Sequence, residues 1–142
     1  MPRILGVLET SLYVNDLKKS VEFYQQLFGF KNLGSGKRMA ALRICENQVL
    51  LLFKRGGSVK PTNTSFGTIP PTDGEGNLHL TFAVYKSEFI DWDSLLRKMN
   101  ISIESSLEWP EGGRSIYFRD PDEHLLELKT ADWDSDVEFE KE

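Results

Sequence analysis

The chain has 142 residues, 39% of them hydrophobic and 27% charged, which is typical of one soluble globular domain with a hydrophobic core. No apolar run approaches the length of a membrane span, and the five uncharged residues between Arg3 and Glu9 are too few for a secretory signal. The single cysteine, Cys45, excludes an internal disulfide. We therefore expect a cytoplasmic protein without a membrane partner.

The acidic charge is concentrated at the C-terminus. The net charge is −5, and residues 131–142 alone hold six acids and one lysine, whereas residues 1–130 hold 16 acidic and 16 basic groups. A nucleic-acid surface needs clustered Lys and Arg, so the neutral body of the chain argues against a nucleic-acid partner. The tail is either an acidic partner-binding segment or a solubilising terminus.

The first predicted elements are a strand and a helix. Residues 9–14 (ETSLYV) alternate as a strand does, and Asp16 is placed to cap a helix that Gly29 can end in a left-handed conformation. The apolar residues of this helix recur at intervals of four, three and four: Leu17, Val21, Tyr24 and Phe28. This spacing predicts an amphipathic helix that covers one face of a sheet.

Two more strands and a long loop complete the first half. Residues 38–53 predict a pair of strands around a turn at Glu46–Asn47, and a weaker strand near 31–36 is interrupted by glycine. Residues 57–76 are rich in Gly, Pro, Thr and Ser and have little periodicity. A loop of this length is either a functional flap or a mobile linker.

The second half repeats the pattern of the first. Residues 79–84 (HLTFAV) predict a strand, Ser87 is placed to cap a second helix, and Asn100 can end it. The apolar positions of this helix are Phe89, Trp92, Leu96 and Met99. Residues 101–107 predict a strand, and 114–129 predict a hairpin. Each half is therefore expected to be β-α-β-β-β, with a helix over one face of a curved sheet.

Two stretches resemble a known family. ETSLYVNDLKKSVEFYQQLFGF and SIYFRDPDEHLLEL resemble the signature stretches of the vicinal oxygen chelate superfamily, which includes glyoxalase I, extradiol dioxygenases, and bleomycin and fosfomycin resistance proteins. The segments GTIPPTDGEG and WPEGGRSIYFRDP further resemble a bacterial subgroup described as glyoxalase- or dioxygenase-like.

The resemblance covers about residues 4–130 and implies a fold. The implied fold class is α+β, with two βαβββ modules that form a curved, half-open barrel around a cleft. The modules would span about 4–56 and 77–130 of a single domain, joined by the 57–76 loop and followed by the acidic tail. Members of the family often form homodimers, sometimes by swapping modules.

The family's metal ligands stand at the start of the first strand and on the last strand of each half. Carried over by position, these are Glu9, His79, Leu51 and Glu127, of which Leu51 cannot bind metal. The pattern therefore favours a three-ligand, dioxygenase-like arrangement, with Glu9 and Glu127 also as candidate catalytic carboxylates. Glu123 stands where the family's turn usually has glycine.

Strand periodicity supports the same three ligands independently of the resemblance. Because strand faces alternate, Glu9, His79 and Glu127 all avoid the face that must pack on a helix. Either carboxylate alone would be read as an exposed strand residue, but the agreement of the three positions indicates a metal site. Two carboxylates and one imidazole suit divalent Fe, Mn, Zn, Ni or Co better than Ca or Mg. Three ligands leave open positions for substrate oxygens.

A tight hairpin at Pro121–Asp122 predicts the lining of the pocket. It would pair Ile116 with Glu127 and place Arg114, Ile116 and Phe118 in the same cavity. Arg114 either binds a carboxylate or phosphate of the substrate or forms a surface salt bridge. The candidate substrate-binding residues are Tyr13, Ser11, Thr81, Trp109, Arg114 and Phe118.

Other residues near the expected site have simpler interpretations. Trp109 is either a wall of the site or a packed aromatic, and His124 is expected to be an exposed turn histidine. In the first half, the inner positions Leu51, Leu42 and Ala40 predict an apolar wall without ligands. We therefore expect one metal site per chain.

Two function classes follow from this reading. The first is a metal-dependent enzyme that acts on a small oxygenated molecule, as a dioxygenase, lyase or isomerase that chelates two adjacent substrate oxygens. The second is a metal-free binding protein of the drug-sequestering type, which would use the aromatic pocket and not the carboxylates. Metal analysis separates the two classes.

Overall fold

A computed structural model describes residues 1–110 and 112–131 of the chain. Two compact units make up the protein, Met1–Leu78 and His79–Glu142. The predicted acidic tail, apart from Ala131, lies outside the described residues. Neither α-helix in the part that the structure describes is long and apolar enough to cross a membrane.

The first unit contains a four-stranded sheet and one α-helix. Its elements are β1 (Glu9–Val14), α1 (Leu17–Phe28), β2 (Lys31–Ser35), β3 (Met39–Cys45) and β4 (Gln48–Lys54). The strands lie in the order β1-β4-β3-β2, with β1 parallel to β4 and the other neighbours antiparallel. The predicted β-α-β-β-β order of the first half is confirmed.

Helix α1 begins and ends where the sequence predicts. The Asp16 carboxylate accepts a hydrogen bond from the Lys19 amide at 3.1 Å, and Gly29 adopts a left-handed φ of 69°. The helix packs on β3 and β4 through an apolar stripe. The buried core of this unit consists of Leu12, Val14, Val21, Tyr24, Leu27, Ala40, Leu42, Leu50 and Leu52.

The segment after β4 contains a short hairpin that the sequence did not predict. Strands β5 (Thr62–Thr64) and β6 (Gly67–Ile69) pair antiparallel, and the Phe66 side chain between them is fully exposed. Strands of three residues are too short to show an alternating pattern, which is why the segment reads as a loop.

The second unit repeats this plan. Its elements are β7 (His79–Val84), a 3-10 turn (Lys86–Glu88), α2 (Phe89–Lys98), β8 (Ser105–Glu108), β9 (Arg114–Arg119) and β10 (Leu125–Thr130). The strands lie in the order β7-β10-β9-β8, with β7 parallel to β10. The core is formed by Val84, Phe89, Leu96, Ile116, Phe118, Leu126 and Leu128. The β-α-β-β-β prediction for the second half is confirmed.

Two boundaries in the second unit differ from the prediction. Ser87 does not cap α2, because it lies within a 3-10 turn and the helix begins at Phe89. The strand predicted at 101–107 is shorter and begins at Ser105. The helix ends near Asn100 as predicted, since Asn100 has a φ of 57° and the Ile101 amide donates to the Leu96 carbonyl at 2.9 Å.

The registers of the two parallel strand pairs show which residues of the first unit correspond to which residues of the second. Ser11 lies beside Leu51 in the first unit, and Thr81 lies beside Glu127 in the second. Leu51 is therefore the structural counterpart of Glu127, and Glu9 is the counterpart of His79. The alignment predicted from the internal repeat is confirmed.

Candidate metal centre

His79 and Glu127 meet on the face of the second sheet that is opposite its buried core. The parallel register places His79 beside Leu125 and Thr81 beside Glu127, so the two side chains lie on one face, one pleat apart. His79 Nε2 approaches Glu127 Oε1 to 3.3 Å. The His79 side chain is 49% exposed and that of Glu127 is 7% exposed, so the pair is open to solvent on the imidazole side.

A backbone contact fixes the tautomer of His79. Its Nδ1 atom lies 2.9 Å from the carbonyl oxygen of Leu125, which can only accept a hydrogen bond. Nδ1 therefore carries a proton, and the neutral imidazole presents its lone pair at Nε2. Hydrogen bonding of the second ring nitrogen to a carbonyl is a common feature of metal-binding histidines.

The lone pair of His79 faces another acceptor. Nε2 lies 3.3 Å from the Glu127 carboxylate oxygen and 3.2 Å from the Thr81 hydroxyl, which itself donates to that oxygen. Two acceptors at this distance repel each other, and a proton on the imidazole or a bound metal ion would remove that repulsion. The donor set, one imidazole nitrogen and one carboxylate oxygen, fits a divalent transition metal.

Hydroxyl groups hold the Glu127 carboxylate. Thr81 Oγ1 donates to Oε1 at 3.0 Å, and Ser115 Oγ donates to Oε2 at 2.6 Å. The Trp109 indole nitrogen donates to Ser115 Oγ at 2.8 Å. The structure therefore brings Thr81 and Trp109, both candidates from the sequence, together with Glu127 and His79.

Tyr117 belongs to this group but was not among the sequence candidates. It lies directly opposite Glu127 across the β9–β10 pair, and its ring stacks on His79 with centroids 6.3 Å apart. Burial, together with the negative charge of Glu127, raises the pKa of the Tyr117 phenol above its ordinary value of 10. We call His79, Thr81, Ser115, Tyr117 and Glu127 the polar cluster.

The sequence does not predict Tyr117 at this position, because the hairpin register expected from the sequence is wrong by one residue. The loop between β9 and β10 closes through a hydrogen bond from the Glu123 amide to the Asp120 carbonyl, and Glu123 has a left-handed φ of 65°. This is a type I turn followed by one left-handed residue, which is longer than the two-residue turn that the sequence predicts. One extra residue reverses the face on which every β9 side chain lies.

With the observed register, Phe118 and Arg114 lie on the face of the sheet opposite the one that carries Glu127. Phe118 and Ile116 are fully buried in the core, and the Arg114 guanidinium lies 4.3 Å from the ring centroid of Phe89 in α2. The Arg114 Nε atom is 4.0 Å from the exposed carboxylate of Glu108. A contact of this kind contributes little to stability.

His124 is also placed differently from the prediction. The residue is completely buried, whereas the sequence suggested an exposed turn histidine. Its backbone amide donates to the buried Asp120 carboxylate at 2.9 Å, as does the amide of Asp122. His124 is therefore part of the turn that connects β9 and β10, and it does not belong to the polar cluster.

In the first unit, the face that carries Glu9 is largely apolar. Glu9 is exposed and Ser11 and Tyr13 are half-buried, and Tyr13 stacks on Phe53 at 5.6 Å. The Tyr13 hydroxyl is hydrogen-bonded to Thr72. A Cβ atom on Gly74 would lie 2.5 Å from the Tyr13 ring, so the segment before β7 passes directly over this tyrosine.

The prediction that Leu42 and Ala40 line the same wall as Leu51 is also wrong by one residue of register. Leu42 and Ala40 are fully buried in the core, and Ala41 is the residue opposite Leu51. A register irregularity between Arg43 and Cys45 shifts the pairing by one residue.

The three predicted ligands are divided between the units. His79 and Glu127 belong to the second unit, and Glu9 belongs to the first. Within residues 1–110 and 112–131, no group of three His, Cys, Asp or Glu side chains is arranged to hold a metal ion. The described part of one chain therefore presents two of the three ligands together.

Comparison with known proteins identifies the family. A family model of the Glyoxalase/Bleomycin resistance protein/Dioxygenase superfamily matches residues 6–128. The chain belongs to this superfamily, which confirms the resemblance seen in the sequence.

Relatives within this superfamily include named enzymes. The chain is 27% identical over 130 residues to the metallothiol transferase FosB of Bacillus licheniformis, and the match covers 91% of this chain and 77% of that protein. The structure is similar to lactoylglutathione lyase from Agrobacterium tumefaciens, with a TM-score of 0.82, 27% identity, and coverage of 91% and 96% of the two chains.

A third similarity concerns the fold alone. A mutant of the fosfomycin resistance protein FosX from Listeria monocytogenes, complexed with Mn(II) and 1S,2S-dihydroxypropylphosphonic acid, matches with a TM-score of 0.65 and 24% identity. The match covers 89% of this chain and 90% of that one.

Proposed function

We propose that the chain is a divalent-metal-dependent enzyme acting on a small oxygenated organic molecule, with His79, Glu127 and Glu9 as metal ligands. The observation that carries the proposal is the 3.3 Å approach of two acceptors, His79 Nε2 and Glu127 Oε1. A bound Fe, Mn, Zn, Ni or Co ion would supply Lewis acidity that polarises substrate oxygens.

The reaction that we favour is transfer of a nucleophile to a small electrophile. Its support is the 27% identity to a metallothiol transferase over nine tenths of the chain. Fosfomycin with a small thiol is therefore the first substrate pair to assay. Within the polar cluster, the phenol of Tyr117, which is protonated at neutral pH, would donate a hydrogen bond to a substrate oxygen.

In this proposal, the third ligand of each metal site is Glu9 from a second copy of the chain. The residues directly before Glu9 expose large apolar side chains, with Ile4, Leu5, Val7 and Leu8 between 64% and 97% exposed. An apolar segment of this kind is stabilised by burial against a partner. Docking of this segment on a second copy would bring Glu9 to a His79–Glu127 pair and form a homodimer with two metal sites.

Metal binding by single-ligand variants tests the proposal. Glu9→Ala, His79→Ala and Glu127→Ala should each weaken Mn²⁺ affinity by at least ~10-fold, because each removes one of three ligands. Calorimetric titration of the chelator-treated protein measures this affinity. His124→Ala is the control for histidine substitution in general, since His124 lies outside the polar cluster. Parent protein that takes up no divalent ion would contradict the proposal.

A metal-free binding protein is the second candidate. It is favoured by the absence of a three-residue ligand group within residues 1–110 and 112–131. Such a protein would hold its ligand against the aromatic groups of Tyr117 and Trp109. Fosfomycin binding that persists with chelator and in Glu127→Ala, without turnover, would support this candidate.

A further inference from the structure

We propose that Trp109 and Ser115 form a hydrogen-bond relay that orients the Glu127 carboxylate for metal binding. Both would be positioning residues, because their hydrogen bonds reach the proposed metal ligand only through the Glu127 carboxylate. The inference rests on the proposed role of Glu127 as a ligand.

The direction of the two hydrogen bonds follows from the chemistry of the groups. An indole N–H can only donate, so Ser115 Oγ must accept from Trp109 Nε1 at 2.8 Å. The single hydroxyl proton of Ser115 is then directed at Glu127 Oε2, 2.6 Å away. Trp109 therefore sets the orientation of the Ser115 hydroxyl, and that hydroxyl sets the orientation of the carboxylate.

The relay distinguishes the two oxygens of Glu127. Oε2 is held by Ser115, which is completely buried, whereas Oε1 faces His79 and accepts from Thr81 at 3.0 Å. A hydrogen bond to a carboxylate is stronger than one between neutral groups, and water does not compete at a buried hydroxyl. Oε1 is thus directed towards the imidazole as the oxygen that binds metal.

Trp109 is itself held in place by contacts outside the polar cluster. Its amide donates to the Gly113 carbonyl at 2.7 Å, and the Gly112 amide donates back to the Trp109 carbonyl at 2.9 Å. The Lys129 ammonium lies 4.8 Å from the centroid of its ring. The relay therefore connects the turn between β8 and β9 to the ligand on β10.

Mn²⁺ affinity of relay variants tests this inference. Trp109→Phe keeps an aromatic ring but removes the N–H, and Ser115→Ala removes the hydroxyl. Loss of a group that orients a ligand lowers metal affinity by about 10-fold or more. We expect each variant to bind Mn²⁺ about 10-fold more weakly than the parent. The double variant should be no weaker than Ser115→Ala, because Trp109 acts only through Ser115.

Trp92→Phe is the matched control, because it makes the same chemical change in α2, which contributes no residue to the polar cluster. A second measurement needs no metal. The indole N–H resonance of Trp109, assigned by its loss in Trp109→Phe, should shift in metal-free Ser115→Ala, since the acceptor has been removed. An unchanged resonance would overturn the relay.

The outcomes separate the relay from the proposed function. The relay would be overturned if Trp109→Phe binds Mn²⁺ as tightly as Trp92→Phe does. If Glu127→Ala loses binding in the same experiment, Glu127 remains a ligand. Additive losses in the double variant would also overturn it. Glu127→Ala that binds Mn²⁺ as tightly as the parent would overturn the proposed function and the relay together.

Discussion

At the scale of single residues, the polar cluster depends on which groups carry protons. Nδ1 of His79 is protonated by its contact with the Leu125 carbonyl, and Glu127 accepts from the hydroxyls of Thr81 and Ser115. Nε2 and Oε1 therefore lie side by side, 3.3 Å apart, as the two atoms of the pair that could bind a metal ion. Sequence patterns identified His79 and Glu127, but the hydroxyls around them are evident only from the register of the strands.

The ionisation of Tyr117 offers a test at this scale. Burial and the charge of Glu127 raise the pKa of its phenol above 10. The tyrosinate absorbance of Tyr117 is the difference between the pH titrations of the metal-free parent and of metal-free Tyr117→Phe. This absorbance should therefore appear at higher pH than that of a free tyrosine amide. Ionisation of Tyr117 at the same pH as the free amide would contradict its placement in a partly buried position beside Glu127.

The raised pKa of Tyr117 also has a consequence for stability. The unfolded phenol begins to ionise near pH 10, where folded Tyr117 remains protonated. The stability contributed by this protonation is complete below pH 10 and is lost as pH rises through the folded pKa. Urea denaturation should show that the parent loses stability relative to Tyr117→Phe across this alkaline range.

At the scale of elements, the sequence predicted the type and order of nearly every strand and helix. Apolar spacing and the caps at Asp16 and Gly29 located α1 correctly, because these signals are local. The β9–β10 register failed because it depends on loop length. An Asp-Pro-Asp-Glu turn admits both two-residue and three-residue closure, and the left-handed φ of Glu123 selects the longer one.

The turn at Glu123 leads to a prediction about stability. A left-handed conformation costs a non-glycine residue about 1–2 kcal/mol, whereas the greater freedom of unfolded glycine costs about 0.4–1 kcal/mol. Glu123→Gly should therefore stabilise the protein by about 0.5 kcal/mol. Denaturant titration measures the change.

The neighbouring residue provides the control for this substitution. Asp122 lacks a positive φ, so Asp122→Gly gains no relief of strain and should destabilise the protein. Destabilisation of Glu123→Gly to the same extent as Asp122→Gly would contradict the assigned turn.

At the scale of the whole molecule, the three proposed ligands do not all belong to one unit. Leu51 is the counterpart of Glu127 and cannot bind metal, so the first unit offers Glu9 without a second ligand on the equivalent strand. The second unit offers His79 and Glu127. The sequence predicts all three residues as ligands, but it does not predict which chain would supply Glu9, because an internal repeat fits either arrangement.

Mixing of two defective variants determines that arrangement. If Glu9 comes from the partner, a mixed dimer of Glu9→Ala and Glu127→Ala chains contains one intact site and one with two defects. Co-refolding of the two variants should then restore one tight Mn²⁺ site in each mixed dimer that forms. If each site uses a single chain, every site in the mixture is defective and tight binding stays absent.

The central claim is that His79 binds a divalent metal ion, and pulsed EPR of bound Mn²⁺ tests it most directly. The chain has two histidines, so protein labelled with ¹⁵N-histidine contains only His79 and the buried His124 as labelled residues. The account predicts a ¹⁵N coupling to Mn²⁺ that is present in the parent and in His124→Gln. Loss of this coupling is expected only in His79→Gln. Bound Mn²⁺ without a histidine coupling in the parent protein would contradict the account.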